Sequence, residues 1–482
     1  MADDVCLSIR FVPEVAEKVA ALVYGNRDDR RQKLRQMLGA VSVFVRSLGF
    51  EVTATGGATV CIRGSAARFT AAFNTMPPAE GWSATGFETV DQSALDGVAR
   101  KLPGFIQDIA LQRSFNGIAS VGDWPPPAPG PGCLGLDVVV KILGADLLHS
   151  RSVDGARVSV MIFDSDFAFD HSFFVERESK CLQRAAVAIP EPPSDTPPSG
   201  HGTAMAALVL SIAPRAEVIG MKLRNGVLLE GLNAALDPTH GPRPDIMSIS
   251  LTKDMCDRNT GTCWTQLPRD LEHVAAEINL AVANGIAVVV GAGNGDYGFP
   301  AAMKQVIAIG GVQVDPSNFE NRAAWDGASA FRTVITSGDC KNRFVPDISA
   351  LAGSDRGAYI VLPVPPGSAF EREFPLAAGA PAGSGWALFS GTSAATAQVA
   401  GVCALLLQGN RGLSPRDLRN LLCNTARGVG RGSASALSNL PNATGLSAAG
   451  VQDRAAGFGL VDAFEAWSRA DDAAFRQAPA GH

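Results

Sequence analysis

A chain of 482 residues has room for two domains, and 46% hydrophobic against 18% charged residues is the composition of a compact globular protein, not a disordered one. A net charge of −6 argues against nucleic acid as a partner, because phosphate binding needs clustered Lys and Arg. There is no uninterrupted apolar run of about eighteen residues, and the N-terminus, MADDVCLSIRFVPEVAEK, is acidic with no apolar stretch behind it. No membrane partner is expected, and the localisation predicted is cytoplasmic.

In chain order, residues 5–11 (VCLSIRF) alternate as a strand does, and residues 13–23 follow with helical character. Residues 31–47 carry apolar positions at helical spacing. Two strand-like runs, FEVTAT and TVCIRG, are joined by Gly56-Gly57, a two-residue hairpin signal. A helical stretch, AARFTAAF, and a helix-then-strand reading that ends in FIQDIALQRSF complete the order β-α-β-β-α-β. That order is the split βαβ, ferredoxin-like pattern, and it assigns residues 1–121 to a small α+β domain. Residues 122–132, GDWPPPAPGPG, read as an extended, exposed linker.

Residues 133–482 alternate apolar β-type runs with helical ones: VSVMIFD, a helix from His201, AEVIGMKL, DIMSISL, a helix over 270–284, GIAVVVGAGN and VIAIGGV. Nearly continuous Val/Ile runs imply strands buried on both faces, hence a mostly parallel sheet covered by helices, a doubly wound α/β domain.

Three segments place a reactive side chain at the end of a buried element. Asp164 ends VSVMIFD, His201 starts a small-residue helix between two glycines, and Ser393 follows Gly391-Thr392 to open a long apolar helix. A serine at a helix N-terminus sits in the positive end of the macrodipole beside free N–H groups. Serine alone is a poor nucleophile. It needs an imidazole to take its proton and a carboxylate to fix the imidazole tautomer. Charge developing on the substrate oxygen needs a donor already in place, and Asn294, just past GIAVVVGAG, is positioned to be one.

The order Asp, His, Ser, with HGT around the histidine and GTS around the serine, resembles the subtilisin-like (subtilase) family of serine peptidases. The similarity runs from about residue 133 to about residue 467. It takes in IAPRAEVIGMKL, GAGN followed by FPA (299–301), VPDISA (345–350) and GFGLVDAFEA (457–466). The resemblance implies a serine endopeptidase acting through an acyl-enzyme, with Asp164, His201 and Ser393 as triad and Asn294 as oxyanion donor. It further implies that protein or peptide substrate adds as a strand between Ser250-Leu251-Thr252 and Gly291-Ala292-Gly293, the second stretch lining the primary specificity pocket. No cofactor is expected. Residues 1–121 then read as an inhibitory prodomain, the chain's own intramolecular partner, with processing between about Phe115 and Cys133. The stretch VRSLGFEVTATGGATVCIRGSAARFTAAFN is also similar to propeptides of the related sedolisin group. Sedolisins carry glutamate and aspartate where this chain has His201 and Asn294, which predicts work near neutral pH. Two other readings of the scaffold remain: a peptide ligase or macrocyclase, and a peptide-binding protein without catalysis.

The chain departs from the family pattern at several points. Asp164-Ser165-Asp166 replaces Asp-Ser-Gly, so that Asp166 either converges on the histidine or faces solvent. Ala394-Ala395-Thr396-Ala397-Gln398 replaces Met-Ala-Ser/Thr-Pro-His, and Thr252 and Lys253 replace glycines, which narrows or charges the cleft. Asp166 and Asp170 offer the carboxylates that calcium would use. His149, His171, His240, His273 and His482 read as surface or packed histidines, and the basic run Arg27 to Arg35 as a solvated helix face. Nine cysteines, an odd number, argue against a disulfide framework in a reducing compartment, and Cys61 and Cys403 read as buried hydrophobes. Cys256 and Cys263 flank a turn that a disulfide would staple under oxidising conditions; no CxxC or His–Cys pairing accompanies them to suggest zinc.

Overall fold

Two large sheets of opposite character, one antiparallel and one mostly parallel, dominate the described residues. The structure, a computed structural model, describes residues 4–23, 38–39, 41–74, 95, 98, 104, 106–112, 116–117, 133–185, 197–224, 226–237, 240–257, 260–354, 359–376, 383–434, 446–447 and 454–477. The linker 122–132, the run Arg27 to Arg35, His482 and the expected processing stretch, apart from residues 116, 117 and 133, lie outside the described residues.

The N-terminal sheet is antiparallel. Strand β1 (Asp4–Phe11) lies between β3 (Thr59–Ser65) and β4 (Ile106–Leu111), with β2 (Glu51–Thr55) outside β3. The spatial order β2-β3-β1-β4 is that of a ferredoxin-like unit. Helices α1 (Pro13–Val23) and α2 (Ala66–Phe73) cross between strands. The Ser65 hydroxyl caps α2 by accepting from Arg68 N, and Asn74 ends it in the left-handed region at φ 52°. Val5, Leu7, Ile9 and Phe11 alternate onto one apolar cluster with Val19, Val45 and Phe69. The loop between β2 and β3 is Gly56-Gly57-Ala58, one residue longer than the two-residue turn predicted. Gly56 is required there by close approach: a Cβ on it would lie 2.3 Å from both Asn233 Oδ1 and Glu277 Oε1.

Those two contacts belong to the second domain. Its sheet runs β14-β13-β11-β9-β6-β8-β7, and a further strand, β15 (Ile348–Leu351), also pairs with β13. The members are β6 (Ser159–Asp164), β7 (Cys181–Ala185), β8 (Glu217–Lys222), β9 (Ile246–Ile249), β11 (Ala287–Gly291), β13 (Ile307–Asp315) and β14 (Asn318–Ala324). All pairings are parallel except that of β14. Along β6, Val160 and Ile162 join one core while Met161 and Phe163 join the other, so both faces are dry. Helices α3 (His201–Ile212) and α7 (Thr392–Gly409) cover the first face, and α4 (Leu228–Leu236) and α5 (Arg269–Ala283) the second. The chain winds out from β6 to β8 on one side and to β9 on the other, which makes the carboxyl end of β6 a topological switch point.

The face of the N-terminal sheet that carries Ser8 and Arg10 of β1 and Arg63 of β3 meets α4 and α5. Arg63 forms a two-pronged ion pair with Glu230, at 2.5 and 2.8 Å, and Thr53 adds a hydrogen bond of 2.7 Å to the same carboxylate. Glu277 accepts from the amides of Gly57 (3.0 Å), Ala58 (2.8 Å) and Thr59 (2.7 Å), and from the Thr59 hydroxyl. His273, read from sequence as an ordinary histidine, is fully buried between the Ser8 hydroxyl and Asp108, the latter 2.7 Å from its Nε2. Asp108 also pairs with Arg10, and its pKa is lowered to about 2, burial being overcome by His273 and Arg10.

A small antiparallel sheet completes the contact. Strand β10 (Leu251–Asp254) pairs with β12 (Gly298–Phe299) on one edge and with β5 (Asn116–Gly117) on the other, placing Gly117 opposite Leu251 and Asn116 opposite Thr252. Just beyond β10, Cys256 and Cys263 form a disulfide, and the other seven cysteines are thiols, Cys61 and Cys403 buried as expected. Among the described residues no helix is long and apolar enough to cross a membrane.

Candidate active site

Asp164 ends β6 and is buried. Its Oδ1 accepts from Ser165 N at 2.8 Å, and its Oδ2 lies 2.6 Å from Nδ1 of His201. His201 opens α3, whose first turn is pressed against the loop after β6. A Cβ on Gly202 would fall 2.2 Å from the Asp166 carbonyl oxygen, so only glycine lets the two backbones meet. The Ala168 amide donates to Thr203 Oγ1 at 2.9 Å, a second tie between loop and helix.

Ser393 is the second residue of α7, which packs against α3. It is buried, and its hydroxyl has no hydrogen-bond partner among the described residues. Asn294 reaches the same helix start: its Oδ1 accepts from Thr392 N at 3.0 Å and from Thr392 Oγ1 at 2.9 Å. That double bond fixes the amide plane and turns Nδ2 toward Gly391, one residue before the Thr392-Ser393 pair.

Burial disfavours a charged imidazole, but the carboxylate of Asp164, and behind it that of Asp166, outweigh burial, so the pKa of His201 is raised above 6.5. The ring is flanked by Phe370 at 5.7 Å and Phe389 at 6.4 Å, which stack on each other at 4.5 Å. Nothing local in the sequence announces Phe370, which arrives from a separate short helix, α6 (Ala369–Glu373).

The expected substrate segments also meet. Ser250, Leu251 and Thr252 form the start of β10 and its approach, and Gly291-Ala292-Gly293 leave the end of β11. A Cβ on Gly298 would lie 2.5 Å from Thr252 Oγ1 and 2.7 Å from the Ala292 carbonyl oxygen, so Gly298, absent from the sequence reading, closes the space between the two segments. Lys253 is buried. Asp166 is half-buried, and its carboxylate turns onto the backbone before the histidine, accepting from the amides of Ser199 (2.6 Å) and Gly200 (3.1 Å). Gln398, in place of the family's histidine, clasps the β15 backbone, accepting from Leu351 N and donating to Leu351 O. The other described histidines cap or pack, as His171 does in accepting from Phe173 N.

A model of the subtilase family matches residues 155–459, well over half of the chain. Alkaline elastase YaB of Bacillus sp. (strain YaB) is 27% identical over 59% of this chain, and the match spans 64% of its own length, under two thirds. Subtilisin Savinase of Lederbergia lenta is 26% identical over 59% of this chain and 89% of its own. The subtilisin-like protease PopC of Myxococcus xanthus is 25% identical over 67% of this chain and 66% of its own. Among solved structures, fervidolysin from Fervidobacterium pennivorans, described as a keratinolytic enzyme related to subtilisin, superposes with a TM-score of 0.59 at 15% identity. It covers 97% of this chain and 61% of its own, and at that identity the likeness concerns the fold. With the family model spanning the region from just before Asp164 to beyond Ser393, the chain belongs to the subtilase family.

Proposed function

We propose that the protein is a serine endopeptidase in which Ser393 attacks the peptide carbonyl, His201 takes its proton and Asn294 stabilises the oxyanion. The observation that carries this reading is the 2.6 Å contact between Asp164 and His201 Nδ1. It holds the proton on Nδ1 and leaves the Nε2 lone pair as the base, the tautomer that proton transfer from serine requires. The buried Ser393 hydroxyl at a helix N-terminus and the oriented Asn294 amide support the remaining roles. Substrate adds along the β10 edge at Leu251 and Thr252 that β5 takes in this structure. Residues 1–121 act as an inhibitory prodomain, a reading supported by β5, which lies along the β10 edge that substrate would take.

The test is reaction of the purified full chain with a fluorophosphonate, the adduct mapped by mass spectrometry. Modification of Ser393 with hydrolysis of a peptide substrate is the expected result. A Ser393 that stays unlabelled even when residues 1–121 are undocked would leave a peptide-binding protein, and joined or cyclic peptide products a ligase. The pH profile carries a further prediction. Imidazole must be neutral to accept the serine proton, and the raised pKa of His201 means that kcat/KM falls with acidification from a pH above 6.5. An optimum below about pH 4 would overturn the histidine as base.

A further inference from the structure

We propose that Asp166 is a positioning residue for His201: its carboxylate clamps the backbone immediately before the histidine and so aims the imidazole. The proposal rests on the reading of His201 as the general base and adds a residue that the family's usual Asp-Ser-Gly does not supply.

Both carboxylate oxygens are used, one on each of two consecutive amides. Oδ2 accepts from Ser199 N at 2.6 Å and Oδ1 from Gly200 N at 3.1 Å. Charge-assisted bonds of this kind are roughly twice as strong as neutral ones. The opposite edge of the same segment is held by α6, where the Ala369 amide donates to the Pro198 carbonyl at 2.9 Å and the Phe370 amide to that of Ser199 at 3.1 Å. The segment also ties to the histidine itself, because Ser199 Oγ accepts from His201 N at 3.3 Å. Residues 198–200 are therefore pinned from two sides directly before the first residue of α3. With glycine at 166 one of those sides would have no side-chain acceptor, and the histidine would be steered by α6 and Asp164 alone.

Asp166 acts on the imidazole in a second way, through its charge. The charged groups that bear on His201 are Asp164 and Asp166; on the α6 side the ring meets Phe370 and Phe389, and the buried Glu371 of α6 is engaged by the amides of Gly367 and Gly385. Removing the Asp166 charge therefore removes part of what favours imidazolium, and the histidine pKa falls.

The experiment compares D166N, D166E and wild-type full chain. D166N keeps the shape, loses the charge and keeps one acceptor for two donors. Its kcat is expected to fall about ten- to a hundredfold, the range that small misplacements of reacting groups produce. KM changes little, and the acid limb of kcat/KM moves to lower pH. D166E restores the charge and is expected to return the acid limb toward the wild-type position. A lowered melting temperature with kcat and acid limb unmoved makes Asp166 a purely structural residue and overturns the proposal, as does D166N that behaves as wild type. Because activity is itself proposed, the His201 pKa is also followed by NMR titration in S393A full chain with and without D166N. If the wild type proves inactive while D166N lowers that pKa, the serine peptidase reading fails and the clamp stands. An unmoved pKa overturns the clamp whatever the activity.

Discussion

Replacing Ser393 by alanine is expected to reduce peptide hydrolysis by about 10⁶-fold, the loss found when the equivalent group is removed from subtilisin, and to leave the fold untouched. The first half follows from chemistry: of the neighbouring hydroxyls, that of Thr392 is committed to Asn294 Oδ1, that of Ser250 to the Ser393 carbonyl and that of Ser390 to the Gly353 carbonyl. The second half follows from the hydrogen bonds. Ser393 Oγ has no partner among the described residues, so the substitution orphans nothing and removes a polar atom from a buried place. Thermal unfolding of S393A should match wild type or exceed it slightly. Intact mass adds a third readout: if the chain cuts itself between about residues 115 and 133, the variant stays whole. Hydrolysis retained in S393A would remove Ser393 from the mechanism.

Glu277→Ala is expected to loosen the N-terminal domain by at least about 3 kcal/mol. The carboxylate answers three consecutive amides, Gly57, Ala58 and Thr59, and alanine leaves all of them without it in a buried place. Each such orphan costs about 1–3 kcal/mol, so even the low end of the range amounts to more than a hundredfold in the docking equilibrium. Hydrogen exchange in the full chain reads this directly. The amides of Gly57 to Thr59 should exchange about a hundredfold faster or more, while those of β6 and β11 keep their wild-type protection. E277Q, which retains an acceptor and the shape, should fall between. With residues 1–121 as inhibitor, E277A full chain should also hydrolyse peptide faster than wild type. Unchanged exchange at Gly57 to Thr59 would show that the hairpin tip does not depend on Glu277.

The parts of the fold that were legible in the sequence are those where burial is uniform or strictly alternating. VSVMIFD and GIAVVVGAG declare strands with two dry faces, and the structure divides their side chains between two cores. The order of elements in the first domain implied its sheet, and the observed strand order is the one implied. The role of the polar half of that sheet was not legible. Cys6, Ser8 and Arg10 alternate with apolar neighbours as on a solvated face, yet that face docks on α4 and α5 and carries the ion pairs and hydrogen bonds of the interface. Alternation reports only which face is apolar, and a polar face that finds polar partners looks the same as one facing water. The same limit explains the site. Asp164, His201, Asn294 and Ser393 each lie at or just beyond the boundary of an element and could be named. Asp166, Gly298 and Phe370 owe their places to elements distant in the chain, and their neighbours in sequence say nothing of it.

β5 lies along Leu251 and Thr252 while belonging to the same molecule as that edge. A segment tethered in this way presents itself at a roughly millimolar effective concentration. A free peptide of equal intrinsic affinity at about micromolar concentration would therefore occupy β10 around one thousandth of the time. Raising substrate tenfold, or improving its fit by about 1.4 kcal/mol, would still leave β10 filled by free peptide only about one hundredth of the time. Diluting the tethered strand, by detaching or undocking its domain, would change the rate by orders of magnitude. With residues 1–121 as the inhibitor proposed above, the output of such a population of molecules would follow the fraction whose N-terminal domain has departed, much as the end point of a titration follows the titrant added.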